Sequence, residues 1–141
     1  TFSTTIITYC TSQGTNIDDE YIGRVQLNDL DNDTSSSTTS GYSDFTSMVV
    51  DIEKYTSPTI TITKHWPGTQ YNDGIAVWID FNHSGTLDPS EYQLITFASG
   101  ATTADVVINP PATAKNPIVV GSIYTANKNV LPCRVHVKYI H

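Results

Sequence analysis

Charge is scarce in this 141-residue chain, at 15% Asp, Glu, Lys and Arg together. Basic residues are the scarcest part of it: 7 Lys and Arg stand against 14 Asp and Glu, a formal net charge of −7. A chain so poor in base has no patch with which to displace counterions from a phosphate backbone, which disfavours nucleic-acid binding. Acid excess fits cation binding or solubility instead. Long apolar runs are also missing. None approaches the roughly 20 residues of a membrane-spanning helix, so membrane insertion is not expected. A helical protein of this length would carry more Leu, Ala, Glu and Lys, and no stretch of helical period exceeds two capped turns. No internal repeat is evident. No signal peptide is visible, and the opening Thr1-Phe2-Ser3 reads as that of a mature form or an excised domain.

Cysteine is limited to Cys10 and Cys133. Abundant Thr, Ser, Asn and Tyr suggest secretion, where the two would bridge the ends of the domain; the alternative is two separate buried thiols. What remains is a chain of short alternating runs bounded by turn residues, the pattern of strands. Thr4–Tyr9, Tyr21–Leu27, Ser47–Ile52, Pro58–Lys64, Ile75–Ile79, Tyr92–Phe97, Ala104–Ile108, Ile118–Tyr124 and Arg134–Ile140 are the expected strands. Ile60 and Ile62 share one face of the fourth, with threonines on the other. Ile75–Ile79 is apolar throughout, as in a central strand covered on both faces. Asn28–Tyr42 reads as a long polar loop. The expectation is one all-β domain spanning residues 1–141, a two-sheet, jelly-roll-like sandwich of about nine strands.

Between two of these strands lies Asp80-Phe-Asn-His-Ser-Gly-Thr-Leu-Asp-Pro-Ser-Glu91. Calcium takes six to eight oxygens at about 2.3–2.6 Å, and a twelve-residue loop supplies them from positions 1, 3, 5, 7, 9 and 12. Asp80, Asn82, Ser84, Asp88 and Glu91 fill the side-chain positions, and the Thr86 carbonyl fills position 7. Gly85 at position 6 permits the sharp turn because it lacks a Cβ. Leu87 at position 8 is placed to pin the loop to the core. The alternative is a metal-free polar turn, since such turns also use Asp, Asn and Ser. With strands on both flanks, this EF-hand-like loop implies a structural Ca2+ rather than a helix-opening switch. Asn82-His83-Ser84 and Asn32-Asp33-Thr34 also match the glycosylation sequon. A role as metal ligand discounts the first, and the second is expected on an exposed loop.

No catalytic constellation emerges. His65, His83, His136 and His141 make no zinc spacing, and no nucleophile elbow, phosphate loop or dinucleotide fingerprint occurs. His136 alternates with Val135 and Val137, so it is expected on the opposite sheet face. Asp18, Asp19 and Glu20 read as clustered surface acids. The segment "KHWPGTQY" is more suggestive. Trp66 and Tyr71 could stack on sugar rings while His65, Gln70 and Asn72 supply hydrogen bonds; alternatively, Trp66 caps one end of the core. Trp78, inside an apolar run, is expected in the core. Tyr9, Tyr21 and Tyr42 fit sheet faces.

The phrases "YCTSQGTNIDDEYIGRVQLNDLDN" (residues 9–32), "SGYSDFTS" (40–47) and "YTSPTITITKHWPGTQYNDGIAVWIDFNHSGTLDPSE" (55–91) together resemble the GEVED domain family. Pro111–Ala114 and Arg134–Tyr139 resemble its later blocks more weakly. The family's Trp-Ile-Asp-Phe-Asn block falls on Trp78, Ile79, Asp80, Phe81 and Asn82, which contains the start of the acidic loop. The Gly-Glu-Val-Glu-Asp motif that names the family is absent from the chain, so no role tied to those carboxylates carries over. The resemblance implies an accessory domain of secreted multidomain bacterial proteins, beside metallopeptidases, adhesins or polysaccharide-degrading enzymes. The functional expectation is a non-catalytic, calcium-stabilised module that is secreted or at the cell surface and binds carbohydrate or another extracellular surface. The alternative is a structural spacer or folding aid attached to a secreted peptidase or adhesin.

Overall fold

The computed structural model describes residues 20–33, 45, 48, 50–70, 73–97, 100–115, 118–120, 124–127 and 136–140. Among them the chain is all-β. The strands are β1 (Tyr21–Leu27), β2 (Leu30–Asn32), β3 (Val50–Ile52), β4 (Thr59–His65), β5 (Asp73–Trp78), β6 (Tyr92–Phe97), β7 (Thr103–Val107), β8 (Ile118–Val120), β9 (Tyr124–Asn127) and β10 (His136–Ile140). A single 3-10 turn, Pro89–Glu91, is the helical element among the described residues. None of them forms a helix long and apolar enough to cross a membrane.

The strands form an antiparallel sheet in the order β2-β1-β4-β7, a second sheet in the order β6-β5-β10-β9 and a β3-β8 ladder. In the second sheet β9 and β10 are parallel, and the other pairs are antiparallel. The expected Ile118–Tyr124 strand is not one element. Its two ends belong to different pairings, β8 with β3 and β9 with β10. The expected Thr4–Tyr9 strand lies outside the described residues.

Alternation sets which side chains go inward. On β4, Ile60 and Ile62 are buried to 1% and 0% exposure, and Lys64 follows them on the same face. On β1 the parity changes partway. Ile22 pairs with Lys64, the register slips at Gly23, and Arg24 pairs with Thr63. This one-residue bulge lets Glu20 and Ile22 on one side of it, and Val25 and Leu27 on the other, all face inward. A Cβ on Gly23 would stand 3.1 Å from the His65 Cβ, so glycine suits this close approach. One apolar cluster unites Ile22, Val25, Leu27, Ile60 and Ile62 with Ile75, Val77 and Ile79 of the second sheet and its exit, and with Val50 and Ile52 of β3. Each such side chain contributes about 1.5–3 kcal/mol when fully buried. Ile75–Ile79 is buried throughout, because β5 runs between β6 and β10.

Two loop expectations change. Asn28–Tyr42 is not polar loop from its start: Asn28 and Asp29 turn the chain, and Leu30–Asn32 pairs back onto β1. Asn28 takes φ +51° and donates from its Nδ2 to the Asp51 carbonyl at 2.8 Å. Asn32 therefore sits in a strand at 1% exposure, where no glycan could be attached, and not on an exposed loop. The reason is again alternation, which carries Leu30 and Asn32 to one face.

Candidate functional site

Strand β5 delivers the acidic loop. After Trp78, the Ile79 amide bonds to the Glu91 carbonyl at 3.1 Å, so the two ends of the loop are clasped where β5 and β6 part. Phe81, at loop position 2, is buried in the core cluster, whereas Leu87 is only half-buried. Phe81, rather than Leu87, is therefore the main anchor. The Phe81 carbonyl accepts from the Lys115 amide at 2.8 Å, which ties the loop to the segment after β7.

Inside the loop the acids turn inward. Asp80, 7% exposed, accepts from the Ser84 amide on Oδ1 and from the Gly85 amide on Oδ2, both at 3.0 Å. Glu91, 3% exposed, accepts from the Asn82 amide on Oε1 at 3.3 Å and from the Asp88 amide on Oε2 at 2.9 Å. The first and last positions of the loop thus each hold two backbone amides, and the chain wraps around them. Asn82 Oδ1 accepts from the Ser84 amide at 2.8 Å, and its Nδ2 donates to Asp88 Oδ2 at 3.1 Å. The Ser84 hydroxyl donates to the Thr86 carbonyl at 3.1 Å, so the position-7 carbonyl is also turned toward the loop's own groups. His83 and Gly85 supply the left-handed backbone the wrap needs, at φ +54° and +81°.

Burial pushes the Glu91 carboxyl above its ordinary range; the Asp88 and Asn82 amides oppose this, and the charges of Asp80 and Asp88 add to it. Three acids therefore crowd one small volume. Among the described residues no three acidic, His or Cys side chains already converge as a metal cage. The carboxylate oxygens are directed at backbone amides instead. The residues nonetheless fit calcium in kind: the donors are hard oxygens, each carboxylate oxygen keeps a second lone pair, and a divalent cation would offset the crowded charge.

The Glu91 shift fixes a sign. A carboxyl whose folded pKa lies above its unfolded value contributes stability that is fully present below the unfolded value and lost as pH rises through the folded one. Calcium-stripped protein is expected to lose stability over that window, measured by chemical denaturation at several pH values. Glu91→Gln should flatten this part of the profile. An unchanged profile would remove Glu91 as its source.

The second candidate segment divides. Trp66 is half-buried, with the Lys64 ammonium 5.2 Å from its ring centroid. Lys64 itself is buried and paired at 3.8 Å with Glu20, their side chains 0% and 2% exposed. Trp66 thus sits on the core side of β4. His65 is exposed and pairs with Tyr21 across the ladder, ring centroids 4.8 Å apart. Gln70 is half-buried, and its Nε2 is buried without a hydrogen-bond partner among the described residues. Tyr71, Asn72, Tyr9, Tyr42, Asp18, Asp19, Cys10 and Cys133 lie outside the described residues, as does the side chain of His136. Glu20 is no surface acid, and the bulge explains its inward turn. The signal that would have found Lys64 was in the alternation Ile60, Ile62, Lys64, which places it on the buried face.

No curated protein and no solved structure matches this chain. Residues 74–136 match the family model described as the GEVED domain. That stretch begins within β5, contains the whole acidic loop and reaches the first residue of β10. It includes Trp78–Asn82, while the resembling phrases at residues 9–32 and 40–47 lie before it. Over residues 74–136, just under half of its length, the chain is similar to the GEVED domain family.

Proposed function

We propose that the chain is a non-catalytic, calcium-stabilised β-sandwich module of a secreted bacterial protein, and that it binds extracellular carbohydrate. The core cluster draws on both four-stranded sheets, which supports the sandwich reading. The observation that carries the calcium reading is the loop itself. Two buried carboxylates stand at its first and last positions, and a left-handed glycine stands at its sixth. Asp80, Asn82, Ser84, Asp88, Glu91 and the Thr86 carbonyl would hold the ion. Calcium would compensate the crowded charge and close the loop between β5 and β6, stabilising the folded state by mass action. Retention on polysaccharide, measured in calcium and after calcium removal, tests the module as a whole; no retention in either state would leave the spacer reading.

The half-burial of Trp66 under the Lys64 ammonium favours a packing role for this residue and gives the spacer reading its support. Trp66→Ala is expected to lower the melting temperature by about 4–8 °C, equivalent to about 2 kcal/mol of lost packing. Polysaccharide retention by the folded variant should not change. A variant that melts like the parent but loses retention would instead return the Trp66–Asn72 segment to the binding surface.

A further inference from the structure

Tyr55 is 81% exposed and sits at φ +69°, on the turn between β3 and β4. Scattered exposed aromatics are normal, but a bulky residue in left-handed backbone is an outlier, and a turn selected for stability alone takes Gly or Asn. The turn is fixed from within: the Thr56 amide and hydroxyl both donate to the Glu53 carbonyl, at 3.2 and 2.6 Å. The Lys54 ammonium lies 5.4 Å from the Tyr55 centroid and covers one face of the ring. With that face covered, the exposure belongs largely to the other.

The position of this ring in the fold is informative. Pro58, three residues on, accepts from the Ile108 amide at 2.8 Å, and Ser57 Oγ donates to Asn109 Oδ1 at 3.0 Å. The segment that starts there ends at Lys115, whose amide bonds to Phe81 of the acidic loop. Tyr55 and the acidic loop are therefore linked through one short segment, at one end of the sheets. Trp66 lies at the other end of β4, roughly 20 Å away at the rise of a strand. We propose that Tyr55 is the stacking platform for a neutral sugar ring, on the end of the domain that the acidic loop closes; this rests on the carbohydrate-binding reading above. An open ring face suits the apolar face of a pyranose. The exposed Asn109, whose Oδ1 is already engaged, offers its amide N–H groups to sugar hydroxyls. Asp51 and Glu53, both exposed just before Tyr55, and the net charge of −7 disfavour an anionic polymer.

The test is affinity electrophoresis and pull-down of parent, Tyr55→Phe and Tyr55→Gly. The probes are laminarin, xylan, galactomannan, cellulose and chitin, with alginate as the anionic polymer. Glycine tolerates φ +69°, so that variant removes the ring without straining the turn. The parent should be retained by at least one neutral polysaccharide, and Tyr55→Phe should keep that affinity within about threefold, because the π-face remains. Tyr55→Gly should lose about tenfold or more, taking base stacking as the guide, at an undiminished melting temperature. If Tyr55→Gly binds as the parent does, or melts well below it, the platform is wrong while the carbohydrate reading stands. If alginate alone retains the parent, the neutral-sugar assignment is overturned. If nothing retains the parent, both proposals fall.

Discussion

In millimolar calcium the domain is expected to melt about 5–10 °C higher than in chelator, given a free-ion concentration about 100-fold above Kd and a stability gain of about 2.7 kcal/mol. The reason is the crowding of Asp80, Asp88 and Glu91. Each is held by backbone or amide donors, yet Glu91 is buried with two other carboxylates beside it. A divalent cation turns that repulsion into attraction. Glu91→Gln should abolish the calcium response; in chelator it removes a buried charge but leaves one of the two backbone amides without its acceptor, so its two effects on stability oppose each other. Gly85→Ala should reduce the response, since φ +81° strains any residue with a Cβ. Equal melting temperatures in calcium and chelator would reduce the loop to a polar turn.

Lys64→Met should be the most damaging single substitution, at about 3–5 kcal/mol, or roughly 10–15 °C in melting temperature. Lys64 and Glu20 are both buried and face each other at 3.8 Å. Removing the cation takes away the opposite charge that faces a buried carboxylate, and Trp66 loses the ammonium over its ring. The cost belongs to the uncompensated buried charge more than to the loss of the pair itself. Lys64→Met combined with Glu20→Gln should therefore recover at least half of it. Thermal denaturation of the two variants decides this. A single variant within about 2 °C of the parent would show that Glu20 is well served by other partners and that the pair is incidental.

Much of the fold was legible because periodicity survives folding. The Thr59–Thr63 alternation put Ile60 and Ile62 inside, and the unbroken Ile75–Ile79 run announced a strand with neighbours on both sides. The bounds of β1 and β6 matched expectation because turn residues flank them. The acidic loop was legible for a different reason: a glycine and five oxygen-bearing side chains stand at fixed offsets, and offsets are visible in a sequence. What was not legible depended on three dimensions. The Gly23 bulge flips the parity of β1, so Glu20 turns inward although it looks like one of a run of surface acids. Lys64 obeyed the alternation, but a lysine is normally read as an outward residue. Asn32 reads as a loop residue because nothing in "NDLDND" marks where the turn ends and the strand begins. Phe81 rather than Leu87 is the anchor because its ring joins the core cluster and its carbonyl is bonded by the Lys115 amide, contacts between residues far apart in sequence. Tyr55 carries no mark in the sequence, because its significance lies in a backbone angle and in its exposure.

The most direct test of the central claim is calcium binding itself, by isothermal titration calorimetry of calcium-stripped protein. One Ca2+ per chain is expected for the parent, and none for a variant carrying both Asp80→Ala and Glu91→Gln. No heat of binding by the folded parent, or equal uptake by that variant, would contradict it.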